Sequence, residues 1–289
     1  MEILQPASWS EALAAKGEHP EAVPLAGGTD LLVELNFDRR RPQTIIDLTR
    51  IAELGEWSRS DGHLRLGAGV TYTGVITELA SELPGLAIAS RTVGSPQIRN
   101  RGTIGGNLGT SSPAGDALPP LLAGDARIEL AAARGTRVVP LDEFCTGPKR
   151  NVLAPDELIA AIHVPSARGP QQFSKIGTRN AMVIAVASFA LSLDPPARTV
   201  GTGIGSAGPV PLRAAAAERF LEGVLDDEGL WENRGSLPET AVLRFGELVS
   251  EASRPIDDVR GSAPYRRHVL TVMAGRALTW AWDDYREVT

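Results

Sequence analysis

The spacing of apolar and polar positions divides the chain into three stretches. Residues 8–16 carry helical spacing, with Ser8 or Ser10 to cap the start and Gly17 after the end. A short apolar strand over 22–26 runs into Gly27-Gly28-Thr29-Asp30, a helix is predicted over 31–37, and the β-branched run at 44–48 reads as a strand. Beyond Glu56, apolar and polar positions alternate on both sides of Asp61-Gly62, which is a hairpin signal. Helices are predicted over 71–81 and 86–93. Residues 94–116, GSPQIRNRGTIGGNLGTSSPAGD, lose periodicity and read as one long irregular segment, a feature that compact domains keep mainly for function. A short helix over 117–123, a second hairpin (127–132 with 136–140, about Arg134-Gly135) and a strand over 157–164 closed by Pro165 complete the second stretch. In the third, the apolar run 182–193 fits a buried strand or a buried helix. Its β-branched residues and its stop at Asp194-Pro195-Pro196 favour the strand. A strand over 199–204, a helix over 211–221 and two longer helices over 239–253 and 263–285 follow. No internal repeat is evident.

A length of 289 residues suits two or three domains, and 43% hydrophobic with 22% charged residues is an ordinary globular balance. The net charge of −6 argues against broad nucleic-acid binding, which needs a basic footprint. Cys145 is the one cysteine, so the chain can form no internal disulfide and can hold neither an iron–sulfur cluster nor a structural zinc. Its plain role is a small side chain near a turn. His19, His63, His163 and His268 show no metal-ligand spacing. The N-terminal residues lack the basic-then-apolar pattern of a signal peptide, and the run 182–193 is too short to span a bilayer, so a soluble cytoplasmic protein is expected.

Three segments are candidates for chemistry. In Leu25-Ala26-Gly27-Gly28-Thr29-Asp30-Leu31, a strand meets two glycines and then a helix. Such a turn lets main-chain N–H groups approach a phosphate; the same residues would also serve as a plain turn capped by Thr29 or Asp30. In Thr103-Ile104-Gly105-Gly106-Asn107, two glycines again sit among polar side chains and could form an anion-binding nest or a bare surface loop. Two such turns could together wrap one pyrophosphate. In Ser111-Ser112-Pro113-Ala114-Gly115-Asp116, Asp116 could cap the following helix or accept from ribose hydroxyls. A fourth segment, Gly203-Ile204-Gly205-Ser206-Ala207-Gly208, fits GxGxxG, but Pro209 and Pro211 follow where a dinucleotide fold opens a helix. It reads as a strand ending in a turn. Lys175 and Arg179 form a basic pair at the start of the third stretch.

Taken in order, AGGTDLL and TIGGNLGTSSPAGDALPPLLA closely resemble the FAD-binding medium subunits of the xanthine dehydrogenase and carbon monoxide dehydrogenase family. The likeness continues through DELIAAIHVP (156–165), FSKIGTR (173–179), GPVPLRAAAAERFL (208–221) and Tyr265-Arg266-Arg267-His268, so it spans nearly the whole chain. The resemblance implies an α+β fold. It would comprise a two-subdomain FAD-binding fold like that of vanillyl-alcohol oxidase (1–54 and 55–168) and a C-terminal three-stranded sheet with helices (169–289). It implies non-covalent FAD near Pro24 to Leu31 and Thr103 to Asn107, with Ser111 beside them. Asp116 would lie near the adenosine end, Ile159 at the flavin pocket and Lys175 facing the cofactor. Val93 stands where some members carry an aromatic residue. The resemblance also implies partners: a small subunit with [2Fe–2S] clusters and a large one with the molybdenum cofactor, as a dimer of heterotrimers. Electrons would pass from them through this FAD to NAD, a quinone, oxygen or a carrier protein. No catalytic residue and no metal ligand is expected in the chain. Two other classes stay open at this point, a stand-alone flavin oxidoreductase and an assembly protein that has lost FAD.

Overall fold

The computed structural model describes residues 1–287. It opens with β1 (Glu2–Leu4), α1 (Trp9–Glu18), β2 (Val23–Leu25), α2 (Leu31–Asn36) and β3 (Thr44–Asp47). β3 lies between β1 and β2 and runs parallel to both, so each helix serves as the crossover that parallel strands require. Ser8 is the residue that caps α1, its hydroxyl accepting from the Glu11 N–H at 3.3 Å. β1 pairs with β3 through Glu2, Ile3 and Leu4, a strand the sequence pattern did not mark.

The next stretch holds β4 (Trp57–Ser60), β5 (His63–Gly67), α3 (Tyr72–Glu78), α4 (Pro84–Arg91), α5 (Pro96–Arg101), α6 (Ile104–Thr110) and α7 (Leu118–Ala123). After these come β6 (Arg127–Ala132), β7 (Gly135–Pro140), α8 (Leu141–Phe144), β8 (Cys145–Gly147), β9 (Arg150–Asn151) and β10 (Leu158–Pro165). Five of the strands form an antiparallel sheet in the order β4-β5-β10-β6-β7, and β8 pairs with β9 as a separate hairpin. Asp61 and Gly62 both have positive φ (51° and 74°), the backbone that a two-residue hairpin turn demands. The segment 94–116 is not irregular, because it contains α5 and α6. Ser95 and Thr103 cap these helices with their hydroxyls. Glycines at 105, 106 and 109 weaken the helical pattern of α6, but Ile104 and Leu108 are fully buried, and that packing overrides local propensity.

The last stretch is β11 (Gln171–Ile176), β12 (Ala187–Asp194) and β13 (Thr199–Gly205), an antiparallel sheet in that order, backed by α9 (Ala215–Asp227), α10 (Leu230–Asn233), α11 (Glu239–Ala252) and α12 (Ala263–Glu287). The strand expected from 182 begins at Ala187, and Met182 and Ile184 are exposed instead of buried. The helix expected from 211 begins at Ala215, because Leu212 is still bonded to Ile204 through main-chain contacts in both directions. The GxGxxG segment is the end of β13 and its turn. Its first glycine serves packing: a Cβ on Gly203, or on Gly201 before it, would overlap carbonyl oxygens of α7, Pro119 and Ala123 respectively. Every residue of α7 is buried, so this helix seats the C-terminal sheet against the rest of the molecule. Among the described residues no helix is long and apolar enough to cross a membrane.

Candidate functional site

A cleft of about 950 Å³ runs between the β2–α2 turn on one side and α6 on the other. Ala68 and Gly69, just past the end of β5, line it from below, and Tyr72, Val93, Ile159 and the segment 182–184 complete its walls. The two glycine turns meet here. Gly27 packs directly on the last residue of α5, where any Cβ would overlap the Arg101 carbonyl oxygen. Thr110, at the end of α6, donates its hydroxyl to the Asp30 carboxylate at 2.9 Å.

The main-chain accounting differs sharply between the turns. The N–H groups of Gly28, Thr29, Asp30 and Leu31 have no acceptor among the described residues. Gly28 takes the left-handed conformation (φ 76°) that forms this concave turn, and Asp30 stands at the cap position of α2 without capping it. The expectation that Thr29 or Asp30 caps the helix therefore fails for Asp30, whose carboxylate is held by Thr110 instead. At the second turn the groups are already taken. Ile104 N–H donates to Val70 O and Gly105 N–H to Ala68 O, both at 2.9 Å, and Gly106 N–H donates to the Thr103 hydroxyl at 2.9 Å. Gly105 lacks a side chain because a Cβ would sit 2.5 Å from Ala68 O. The second turn is thus not an anion nest. It is a capped, tightly seated wall, and the unclaimed donors belong to the first turn.

Asp116 lines the cleft and does not cap α7, whose cap position is Ala117. Its Oδ2 accepts from Lys175 Nζ at 2.6 Å, and Lys175 also donates to Thr92 O at 3.1 Å. Burial pushes the Asp116 carboxyl up from its ordinary range, and the Lys175 ammonium opposes that shift. Its Oδ1 is buried without a partner, as is the Oδ1 of Asn107. A buried acceptor left unmatched costs free energy, so both atoms call for a donor from whatever fills the cleft. Burial, and then the nearby Asp116 charge, push the Tyr72 phenol upward as well, which keeps it neutral.

A bulge shapes the far end. Between Ile159 and Ala161 the pairing of β10 with β6 slips by one residue, and Ala160 O instead accepts from Ala68 N–H at 3.0 Å. Ile159 reaches toward α6, where its Cδ1 is 3.7 Å from the position a Cβ on Gly109 would take. Glu157, which sequence reasoning missed, also lines the cleft. Arg137 holds it with two bonds, 2.7 and 2.8 Å, and this pairing draws its carboxyl below the usual range. Four residues named from the sequence are not on the lining. Ile104 is core, and Ser111 lies behind the wall, donating to Leu108 O at 2.6 Å and accepting from Asn151 at 3.0 Å. Lys175 stands behind Asp116. Arg179 is taken up locally by the carbonyls of Ala181 and Met182.

Residues 1–167 match the model of the FAD binding domain in molybdopterin dehydrogenase, and 172–281 match the CO dehydrogenase flavoprotein C-terminal domain. The chain belongs to this FAD-binding family. Across the family, the xanthine dehydrogenase FAD-binding subunit of Escherichia coli O157:H7 is 30% identical over 288 residues, covering 95% of this chain and 94% of its own. The nicotinate dehydrogenase FAD-subunit of Eubacterium barkeri is 33% identical over 235 residues, covering 77% and 79%. Among solved structures, a carbon monoxide dehydrogenase from Hydrogenophaga pseudoflava, in a form lacking the Mo-pyranopterin moiety of its cofactor, matches with a TM-score of 0.89 at 30% identity, covering 99% and 98%. Members of the family are subunits of dehydrogenases, so the chain is an oxidoreductase component with FAD as its cofactor. The residues present fit that group, with an uncapped turn of free N–H donors for a diphosphate and two unmatched buried acceptors for polar hydrogens.

Proposed function

We propose that this chain carries the FAD of a molybdenum hydroxylase complex and relays electrons, while substrate oxidation takes place on another subunit. The observation that carries the reading is the run of unclaimed N–H groups from Gly28 to Leu31 at the mouth of a cleft large enough for a dinucleotide. Those groups would bind the pyrophosphate, with Leu25, Ala26, Gly27 and the Thr29 hydroxyl shaping the turn. Thr103, Gly105, Gly106 and Asn107 would form the opposite wall. Asp116, paired with Lys175, would accept from a polar hydrogen of the cofactor, and Ile159 would supply an apolar surface at the flavin pocket. Bound FAD supplies the chemistry, passing between two-electron and one-electron carriers. The chain's own part is to hold, orient and shield it. With one cysteine, the chain must receive electrons from metal centres elsewhere, namely [2Fe–2S] clusters on a small partner and molybdenum on a large one. We place the assembly in the cytoplasm as a dimer of heterotrimers, its electrons leaving to NAD, a quinone, oxygen or a carrier.

The test is an absorption spectrum of the chain purified natively with its genomic neighbours co-expressed. Flavin released as FAD on denaturation, with iron and molybdenum in copurifying chains, is expected. Flavin without such partners would replace the relay with a stand-alone oxidoreductase. No flavin, even after FAD is added, would remove the cofactor assignment.

A further inference from the structure

We infer that Arg101 supplies the full positive charge that faces the diphosphate of the bound dinucleotide. This rests on the cofactor reading above and adds a residue that neither the glycine motifs nor the resemblance named. The cleft is lined by three cations, Arg40, Arg101 and Lys149, and by four acids, Asp30, Glu34, Asp116 and Glu157. Three of the acids have ionic partners. Glu34 is held by Lys149 at 2.8 Å and Arg40 at 3.8 Å, Asp116 by Lys175, and Glu157 by Arg137 with Arg134. Asp30 has only the neutral Thr110 hydroxyl. The turn that offers N–H groups to an anion therefore carries an unneutralised carboxylate of its own. Main-chain dipoles alone would have to overcome that charge in addition to holding two phosphates.

Arg101 is the lining cation with no hydrogen bond or ion pair among the described residues, and it is exposed. Its place is fixed by the main chain. It ends α5, and its carbonyl lies against Gly27, the residue that opens the unclaimed turn. Arg99, on the same helix, makes the contrast clear. Its guanidinium is spent on the carbonyls of Val93 and Gly94, both at 3.0 Å, tying α5 to the end of α4. One arginine of the pair is structural. The other is left free beside the anion turn, with a planar donor fork suited to phosphate oxygens.

The test uses the full chain, purified with whatever partners it retains and stripped of flavin. FAD and riboflavin, which lacks phosphate, are titrated by flavin fluorescence into wild type, Arg101→Gln and Arg101→Lys at low and high salt. Arg101→Gln is expected to weaken FAD by about 10–100-fold at low salt, the size of a lost charged hydrogen bond. The gap should narrow at high salt, Arg101→Lys should recover most of the affinity, and riboflavin should bind all three alike. Wild-type FAD affinity in Arg101→Gln would overturn the inference and leave the cofactor reading intact. An equal loss of riboflavin would also overturn it, as the mark of a structural defect. If the unaltered chain binds no FAD, both readings fall.

Discussion

At Gly27-Gly28 the chain leaves a helix start uncapped and its N–H groups open; at Gly105-Gly106 the same pair of glycines is capped by Thr103 and bonded to the end of β5. The motifs look interchangeable in sequence. What separates them is where acceptors lie. A side-chain cap and a neighbouring strand end satisfy the second turn from within, so it can only pack. The first turn has neither and stays open to an outside anion. Each first glycine is nonetheless dictated by protein rather than ligand, since Gly27 sits on Arg101 and Gly105 on Ala68. Close approach to other stretches of the protein's own backbone, not approach to phosphate, is their first requirement.

The largest effect should come from breaking that approach. Gly27→Val puts a branched side chain into the Arg101 main chain, which has no flexible end to yield, so loss of the folded cleft and of flavin uptake is expected in thermal melts and FAD titration. A variant that melts like wild type would break the claim that Gly27 is seated against the Arg101 main chain. Next is Lys175→Met, which leaves the Asp116 carboxylate buried and unpaired at a cost of about 3–5 kcal/mol near neutral pH. The sign follows from the raised Asp116 pKa: its contribution to stability is fully present below the unfolded value and is lost as pH rises through the folded one. The penalty in Lys175→Met should therefore shrink as the pH falls and the carboxyl takes up a proton. Equal destabilisation at all pH values would mean that the ion pair is not its source. The smallest effect sharpens the contrast: Thr103→Ala should cost about 0.5–2 kcal/mol as a lost cap while FAD affinity changes only slightly. A large fall in affinity would return the second turn to the anion site.

Much of this frame was legible beforehand. The β-branched strand at 44–48 and the turn at Asp61-Gly62 are local signals and are found where their chemistry predicts, whereas of the two glycine pairs only the first keeps the open N–H groups that both seemed to offer. β11 was not, because Gln171, Gln172, Ser174 and Lys175 give it no apolar alternation and its pairing with β12 is a tertiary matter. α6 escaped because its stability comes from burial of Ile104 and Leu108 within a glycine-rich sequence, and α5 because its six residues bury no side chain and so leave no apolar period to read. At the site, composition could mark Asp116 but not its partner, which arrives from a strand of the following sheet. Nor could it show which N–H groups are free, since that depends on the carbonyls of Ala68 and Val70, far away in sequence. Arg101 and Arg99 are indistinguishable until the carbonyls of Val93 and Gly94 claim one of them.

The seating of α7 on β13 bears on how such a protein can be recombined. The helix follows Asp116 directly, and the strand facing it tolerates no side chain at Gly201 or Gly203. A genetic crossover placed in the apparent linker near residue 168 would part these two surfaces and pair each with a stranger. Chimeras between relatives should then inherit the helix and the strand as one unit, with the break placed before 117 or after 205.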